Sequence, residues 1–246
     1  MPVKSTKRAT RKRRQTLYPV RFYKGEYIER QQQANADGAV AYIEHHFNSS
    51  ASPQANYAVV ITGANASQTS KNWGPWYAHA VAQAFHIPIG GDQGLVVGGY
   101  NGRGDHNLRF TDMPAILLEP LFCSNPQHAE WIRSDAGQGR LAAILCEGIQ
   151  RFFQKGGLIG FSVGHKYKPA PSKDRGASIH GGGWEADYAE MILNKARGLL
   201  EKVTVSQQER EIRVLLGDKI LFKQAVDADA EVQWDPARGM LRIESA

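Results

Sequence analysis

The chain has 246 residues, 42% hydrophobic and 22% charged, the mix of an ordinary globular protein with one sizeable core and a small extra module. No apolar run approaches the roughly 18 residues that a membrane-spanning helix needs. The net charge of +6 lies wholly in residues 1–14, which carry seven Lys and Arg and no acid, so the rest of the chain stands at −1. Such a tail buries no apolar area, and residues 1–16 are expected to be disordered. Its charge suits an anionic polymer or a membrane surface, with a solvated tail that has no specific partner as the competing reading. The segment after it, Arg14-Gln15-Thr16-Leu17-Tyr18-Pro19, is not the apolar stretch of a secretory signal, so synthesis in the cytoplasm is expected. Cys123 and Cys146 read as packing residues, not as a disulfide framework.

In chain order, Leu17 to Tyr23 reads as a strand and Glu26 to Ala36 as a polar helix ending near Asp37-Gly38. Ala39 to Ile43 is apolar and leads into Glu44-His45-His46-Phe47-Asn48. Side chains alternate along a strand, so Glu44 and His46 share one face and His45 takes the other. Tyr57 to Thr62 is a further strand, Asn65 to Asn72 a polar loop, and Trp76 to Phe85 a helix. Residues 86–107 are rich in Gly and read as a long surface loop, of the kind that tends to be functional.

Met113 to Pro126 is the most informative stretch. Pro114 to Leu118 is unbroken apolar sequence, Glu119 follows, and Ser124-Asn125-Pro126 closes it with turn chemistry. This is the pattern of a strand buried on both faces of a parallel sheet. A Glu at its exit either reaches solvent past the strand end or serves a cation, a donor or a water. Gly139 to Phe153 carries an amphipathic helical stripe, Leu158 to Val163 is another strand ending at Gly164-His165, and Glu185 opens a helix to about Lys202. Alternating strands and helices predict an α/β fold, a three-layer sandwich around a mainly parallel sheet over residues 17–202. Residues 203–246 carry two hairpin signals and read as a small β appendage: a structural cap, an oligomer contact or a wall-binding module.

Functional sites of such sheets lie outside the carboxyl ends of the strands. His46, Glu119 and His165 each stand at a predicted strand end, and Glu185 stands at a helix start reached from one. Two His and one carboxylate with an open fourth position form a catalytic zinc set, and a second carboxylate off the metal can take a proton from water. A one-residue register slip would exchange His46 for His45 and turn Glu44 away. Without the slip, Glu44 backs His46.

The residues also resemble a family. Phe110 to Glu119, then Phe122 and Ser124-Asn125-Pro126, is similar to the glutamate strand of the zinc-dependent N-acetylmuramoyl-L-alanine amidases of the Amidase_3 type. Arg30, Ala34-Asn35 and His46-Phe47-Asn48 resemble that family's second metal-histidine segment. Gly164-His165, Gly176-Ala177 and Glu185 resemble its opening segment. The opening segment comes last here, which implies a circular permutation in which joining Lys202 to Leu17 would restore the usual order. The resemblance implies zinc held by His165, His46 and Glu185, Glu119 as catalytic base, and peptidoglycan as substrate, cut at the amide between N-acetylmuramic acid and L-alanine. Loop 86–107, with Asp92, Tyr100, Arg103 and His106, is a candidate substrate wall, and His180 has no counterpart ligand in the family. A phage endolysin, freed by a holin or carried on a virion, suits a wall hydrolase made without a signal. Another zinc-dependent amide hydrolase, or a non-catalytic wall- or polyanion-binding protein on the same fold, is the alternative.

Overall fold

The computed structural model describes residues 16–203 and, beyond them, the backbone of four strands between 210 and 244. The basic tail, apart from Thr16, lies outside the described residues. The elements run β1 (Val20–Tyr23), α1 (Tyr27–Ala36), β2 (Ala41–His45), β3 (Val59–Thr62), α2 (Gln68–Phe85), β4 (Leu95–Val97), β5 (Ala115–Glu119), α3 (Pro126–Arg133), α4 (Asp135–Phe152), β6 (Ile159–Val163) and α5 (Glu185–Leu200).

The six strands form one sheet in the order β1-β6-β2-β5-β3-β4. β1, β6, β2 and β5 run parallel, while β3 is antiparallel to β5 and parallel to β4. The reversal has a local cause: β2 and β3 are joined by a loop with no crossover helix, and a return in the same direction ordinarily needs one. The sheet is buried on both faces. Ile43, Ile116, Leu118, Phe161 and Val163 pack with Trp73, Tyr77, Leu141, Leu145, Ile192 and Leu193 from α2, α4 and α5. Tyr42, Ile61 and Leu117 pack on the opposite face with Ala34 of α1 and Leu108. This is the expected α/β three-layer arrangement.

Three elements differ from the sequence reading. α2 begins at Gln68, two turns before the expected Trp76, because Ser67 caps it by accepting from Ser70 N at 3.2 Å. Ser70 is buried and its Oγ accepts from Ala115 N at 3.0 Å, so a polar run taken for a loop is a helix docked on β5. The Gly-rich segment after His86 contains β4, which pairs with β3 at the sheet edge. α3, capped by Asn125 and with Pro126 in its first turn, begins at the expected Ser124-Asn125-Pro126 turn and continues through residues to which the sequence reading assigned no element.

The strand order places β6, late in the sequence, between β1 and β2. The ends of the described stretch 16–203 also meet, since Leu17 N donates to Val203 O at 2.8 Å. Residues 205–246 form a separate unit. In it β7 (Arg210–Leu216) pairs antiparallel with β8 (Lys219–Val226), and β9 (Glu231–Asp235) with β10 (Met240–Glu244). The expected turn at Gly217-Asp218 lies outside the described residues.

Candidate active site

β2, β5 and β6 are adjacent and parallel, so their carboxyl ends bring His46, Glu119 and His165 to one rim. Glu185 reaches the same rim from the first turn of α5. One donor atom from each of His46, His165 and Glu185 lies within 4.8 Å of the others. Glu185 Oε1 is 3.0 Å from His46 Nδ1 and 3.3 Å from His165 Nε2, and the two rings stand edge to face with centroids 4.8 Å apart. A tetrahedral zinc ion with bonds of about 2.0–2.1 Å sets its donors roughly 3.4 Å apart. The two Glu185 separations are close to that value, so the three groups could hold one metal ion.

The outer partners of the rings bear on the same question. His46 Nε2 is 2.8 Å from Glu44 Oε1, and His165 Nδ1 is 2.9 Å from both carboxylate oxygens of Asp174. Each ring thus faces a carboxylate on both of its nitrogens, yet a neutral imidazole has only one N–H. Either the rings are protonated, or a cation takes His46 Nδ1 and His165 Nε2 while Glu44 and Asp174 accept the remaining N–H groups. The second arrangement is the carboxylate–histidine–metal pairing that fixes a tautomer and raises ligand basicity. Without a cation, burial lowers the His46 pKa, but its bonds to Glu185 and Glu44 and their charges outweigh this and hold it up at about 10. His165 is raised in the same way: burial opposes, and Glu185 and Asp174 prevail. The donor set fits a divalent ion that prefers nitrogen and oxygen ligands.

Backbone groups and small residues complete the seat. Phe47 N donates to Glu185 Oε1 at 3.2 Å and Ala177 N to Oε2 at 2.9 Å. A Cβ at Gly164 would collide with the His46 ring, and one at Gly176, where φ is 73°, would collide with the Glu185 carboxylate. The Gly-His and Gly-Ala pairs of the sequence therefore mark close approaches of backbone to His46 and Glu185.

Glu119 lies half-buried in a cleft of about 450 Å³ that His46, His165 and Glu185 also line. Burial raises its pKa to about 7; the charges of His46, Arg103 and His165 pull down and that of Glu185 pushes up. A carboxylate so placed can exchange a proton near neutral pH. The cleft walls include Tyr27, Tyr100, Arg103, Asn107 and Lys168, so part of the Gly-rich loop does face the site. Asp92, His106 and His180 are not among the lining residues. His45 is fully buried on the opposite face against Phe47, with both ring nitrogens unpartnered among the described residues.

Asp174 and Tyr27 had no signal in the sequence, and Asn107 lies in the flagged loop 86–107 but was not singled out. Asp174 sits in a loop between β6 and α5 that the sequence reading did not single out, and only the folded chain turns it back onto His165. Asn107 Nδ2 donates to Glu44 Oε1, and Tyr27 OH accepts from His165 N at 3.0 Å.

A comparison with curated proteins finds no match. Among solved structures, the catalytic domain of CwlV, an N-acetylmuramoyl-L-alanine amidase from Bacillus (Paenibacillus) polymyxa var. colistinus, is 26% identical with a TM-score of 0.44, over 52% of this chain and 66% of that one. An N-acetylmuramoyl-L-alanine amidase from Clostridium difficile 630 is 20% identical with a TM-score of 0.45, over 52% and 66%. One from Nostoc punctiforme is 20% identical with a TM-score of 0.41, over 50% and 63%. The chain thus spans a little under two thirds of the length of these structures. A family model matches residues 6–151, more than half of the sequence, and with it the chain belongs to the Amidase_3 family of N-acetylmuramoyl-L-alanine amidases.

Proposed function

We propose that the protein is a zinc-dependent peptidoglycan hydrolase that cuts the amide between N-acetylmuramic acid and L-alanine, built on a circularly permuted amidase domain. The observation that carries this reading is the convergence of His46, His165 and Glu185 beside Glu119 in one cleft. His46 Nδ1, His165 Nε2 and Glu185 would hold the metal. A bound zinc ion supplies a water acidified toward neutral pH and polarises the amide carbonyl. Glu119 takes a proton from the attacking water and hands it to the nitrogen of the departing L-alanine, so that a neutral amine leaves. Glu44 and Asp174 keep the two rings in the tautomers that present those nitrogens. Arg103 and Tyr100 line the wall against which the glycan-bound peptide would lie.

Two observations support the permutation. The family match stops at residue 151, before the segment holding His165 and Glu185. Leu17 and Val203, the two ends that a conventional order would join, are hydrogen bonded to each other. A protein that kept the fold only for binding would have no use for three metal donors and a base in register.

The test is digestion of purified peptidoglycan by the full chain, with zinc, with a chelator, and with zinc restored. New free amine identified as the amino group of alanine, without new reducing sugar and only in the presence of metal, supports the reading. Reducing ends, or an exposed residue other than alanine, would assign another hydrolase. A role as a phage endolysin belongs to the same proposal and requires that the protein lyse intact host cells once it reaches the wall.

A further inference from the structure

Arg30, on α1, is fully buried, yet it makes no ion pair in direct contact among the described residues. A guanidinium removed from water is costly unless its donors are used. Its Nε donates to Gly25 O at 2.8 Å. One terminal nitrogen donates to Ser162 Oγ at 2.9 Å and to Val163 O at 2.8 Å, and the other donates to Lys166 O.

Val163 and Lys166 flank Gly164-His165, so two of these acceptors bracket the turn that presents His165. That turn is strained: His165 and Tyr167 have φ of 63° and 66°, a region where residues with side chains are uncommon. The same short segment grips it twice more, through Tyr27 OH on His165 N and through Gly25 N on Tyr167 O at 3.1 Å. The Ser162 contact leads the other way. Ser162 Oγ donates to Glu44 Oε2 at 2.8 Å, and the second oxygen of Glu44 is the one that meets His46 Nε2.

We infer that Arg30 is a positioning residue that couples the two histidine-bearing segments, holding the His165 turn by its carbonyls and the His46 ring through Ser162 and Glu44. The ion then meets both imidazoles already oriented. Lysine at this position keeps the charge but not the planar fork, and cannot serve all four acceptors together. This inference rests on the zinc reading above.

The experiment is a zinc titration of the full-length chain against a chromogenic chelator, for wild type, Arg30→Lys and Ser162→Ala, with folding checked by far-UV circular dichroism. A cobalt absorption spectrum of each reads the ligand geometry. Loss of a group that orients a metal ligand ordinarily weakens metal binding about 10–100-fold. We expect Arg30→Lys in that range with an altered cobalt spectrum, and Ser162→Ala, which breaks only the arm to His46, weakened about 10-fold. Folded variants that bind zinc within about twofold of wild type, with an unchanged spectrum, would overturn the coupling, because a merely structural arginine would lower stability and leave affinity alone. If Arg30→Lys does not fold, Ser162→Ala decides alone. Wild type that takes up no zinc sinks the zinc reading and this inference with it, whereas stoichiometric wild-type binding matched by the variants sinks the inference only.

Discussion

Glu119→Gln separates the catalytic from the structural consequence of one half-buried carboxyl. Glutamine keeps the shape of the side chain and removes the base. With the base gone, the rate of amide cleavage should fall about 10²–10⁴-fold, the usual contribution of a positioned general base. Stability should move in the opposite direction. In the folded chain burial lifts the Glu119 pKa from the ordinary 4.5 to about 7. A raised folded pKa means that the fold favours the protonated form, so this stabilisation is fully present below pH 4.5 and is lost as pH rises through about 7. Above pH 7 the native protein carries a half-buried carboxylate at a cost that the difference places at no more than roughly 3–4 kcal/mol. Glutamine escapes that cost. Urea unfolding of chelator-treated protein at pH 8 should therefore show the variant to be the more stable, with the gain vanishing near pH 4.5. The chelator matters because a bound cation favours the carboxylate and shrinks the effect. For the loaded wild type, kcat/KM should rise with pH on its acid limb as Glu119 loses its proton. A variant that keeps more than about a tenth of the wild-type cleavage rate refutes Glu119 as the base, and an unchanged or lower stability at pH 8 refutes the account of its burial.

Glu44→Gln leaves His46 Nε2 with a weaker acceptor and Ser162 with a changed partner. Zinc affinity should fall about 10-fold or more, read by chelator competition. Assayed well above pH 7, where Glu119 is ionised and the Arg103 charge no longer sets the fraction of base, Arg103→Ala should raise KM for soluble muramyl peptides more than it lowers kcat; an equal loss in kcat there would move Arg103 into the chemistry. A rearranged gene that joins residue 203 to residue 17 by a short linker and opens the chain at Gly156-Gly157 should yield a folded, zinc-binding domain, because Leu17 and Val203 are hydrogen bonded already. Failure of that chain to fold, with the linker length varied, would count against the permutation.

β2 and β6 show how much was legible in the sequence. Their apolar runs and the residues at their ends locate His46 and His165 at strand exits, and strand alternation puts Glu44 with His46 and His45 on the other face, as the contact between His46 Nε2 and the Glu44 carboxylate and the burial of His45 against Phe47 show. α2 shows where the reading fails. Its first turns are polar, and the cap at Ser67 together with the docking of Ser70 on Ala115 outweighs the absence of an apolar stripe. β4 is three residues long among glycines, too short for any period to be seen.

What the sequence by itself determined is local: where strands end, which side chains share a face, and which donors are present. Only the tertiary structure decided which of them meet. Strand order, the return of Asp174 onto His165 and the burial of Arg30 between Ser162 and the His165 turn are contacts across long sequence separations. Periodicity along a chain carries no record of such contacts, because they are selected by how the faces pack and not by the spacing of neighbours.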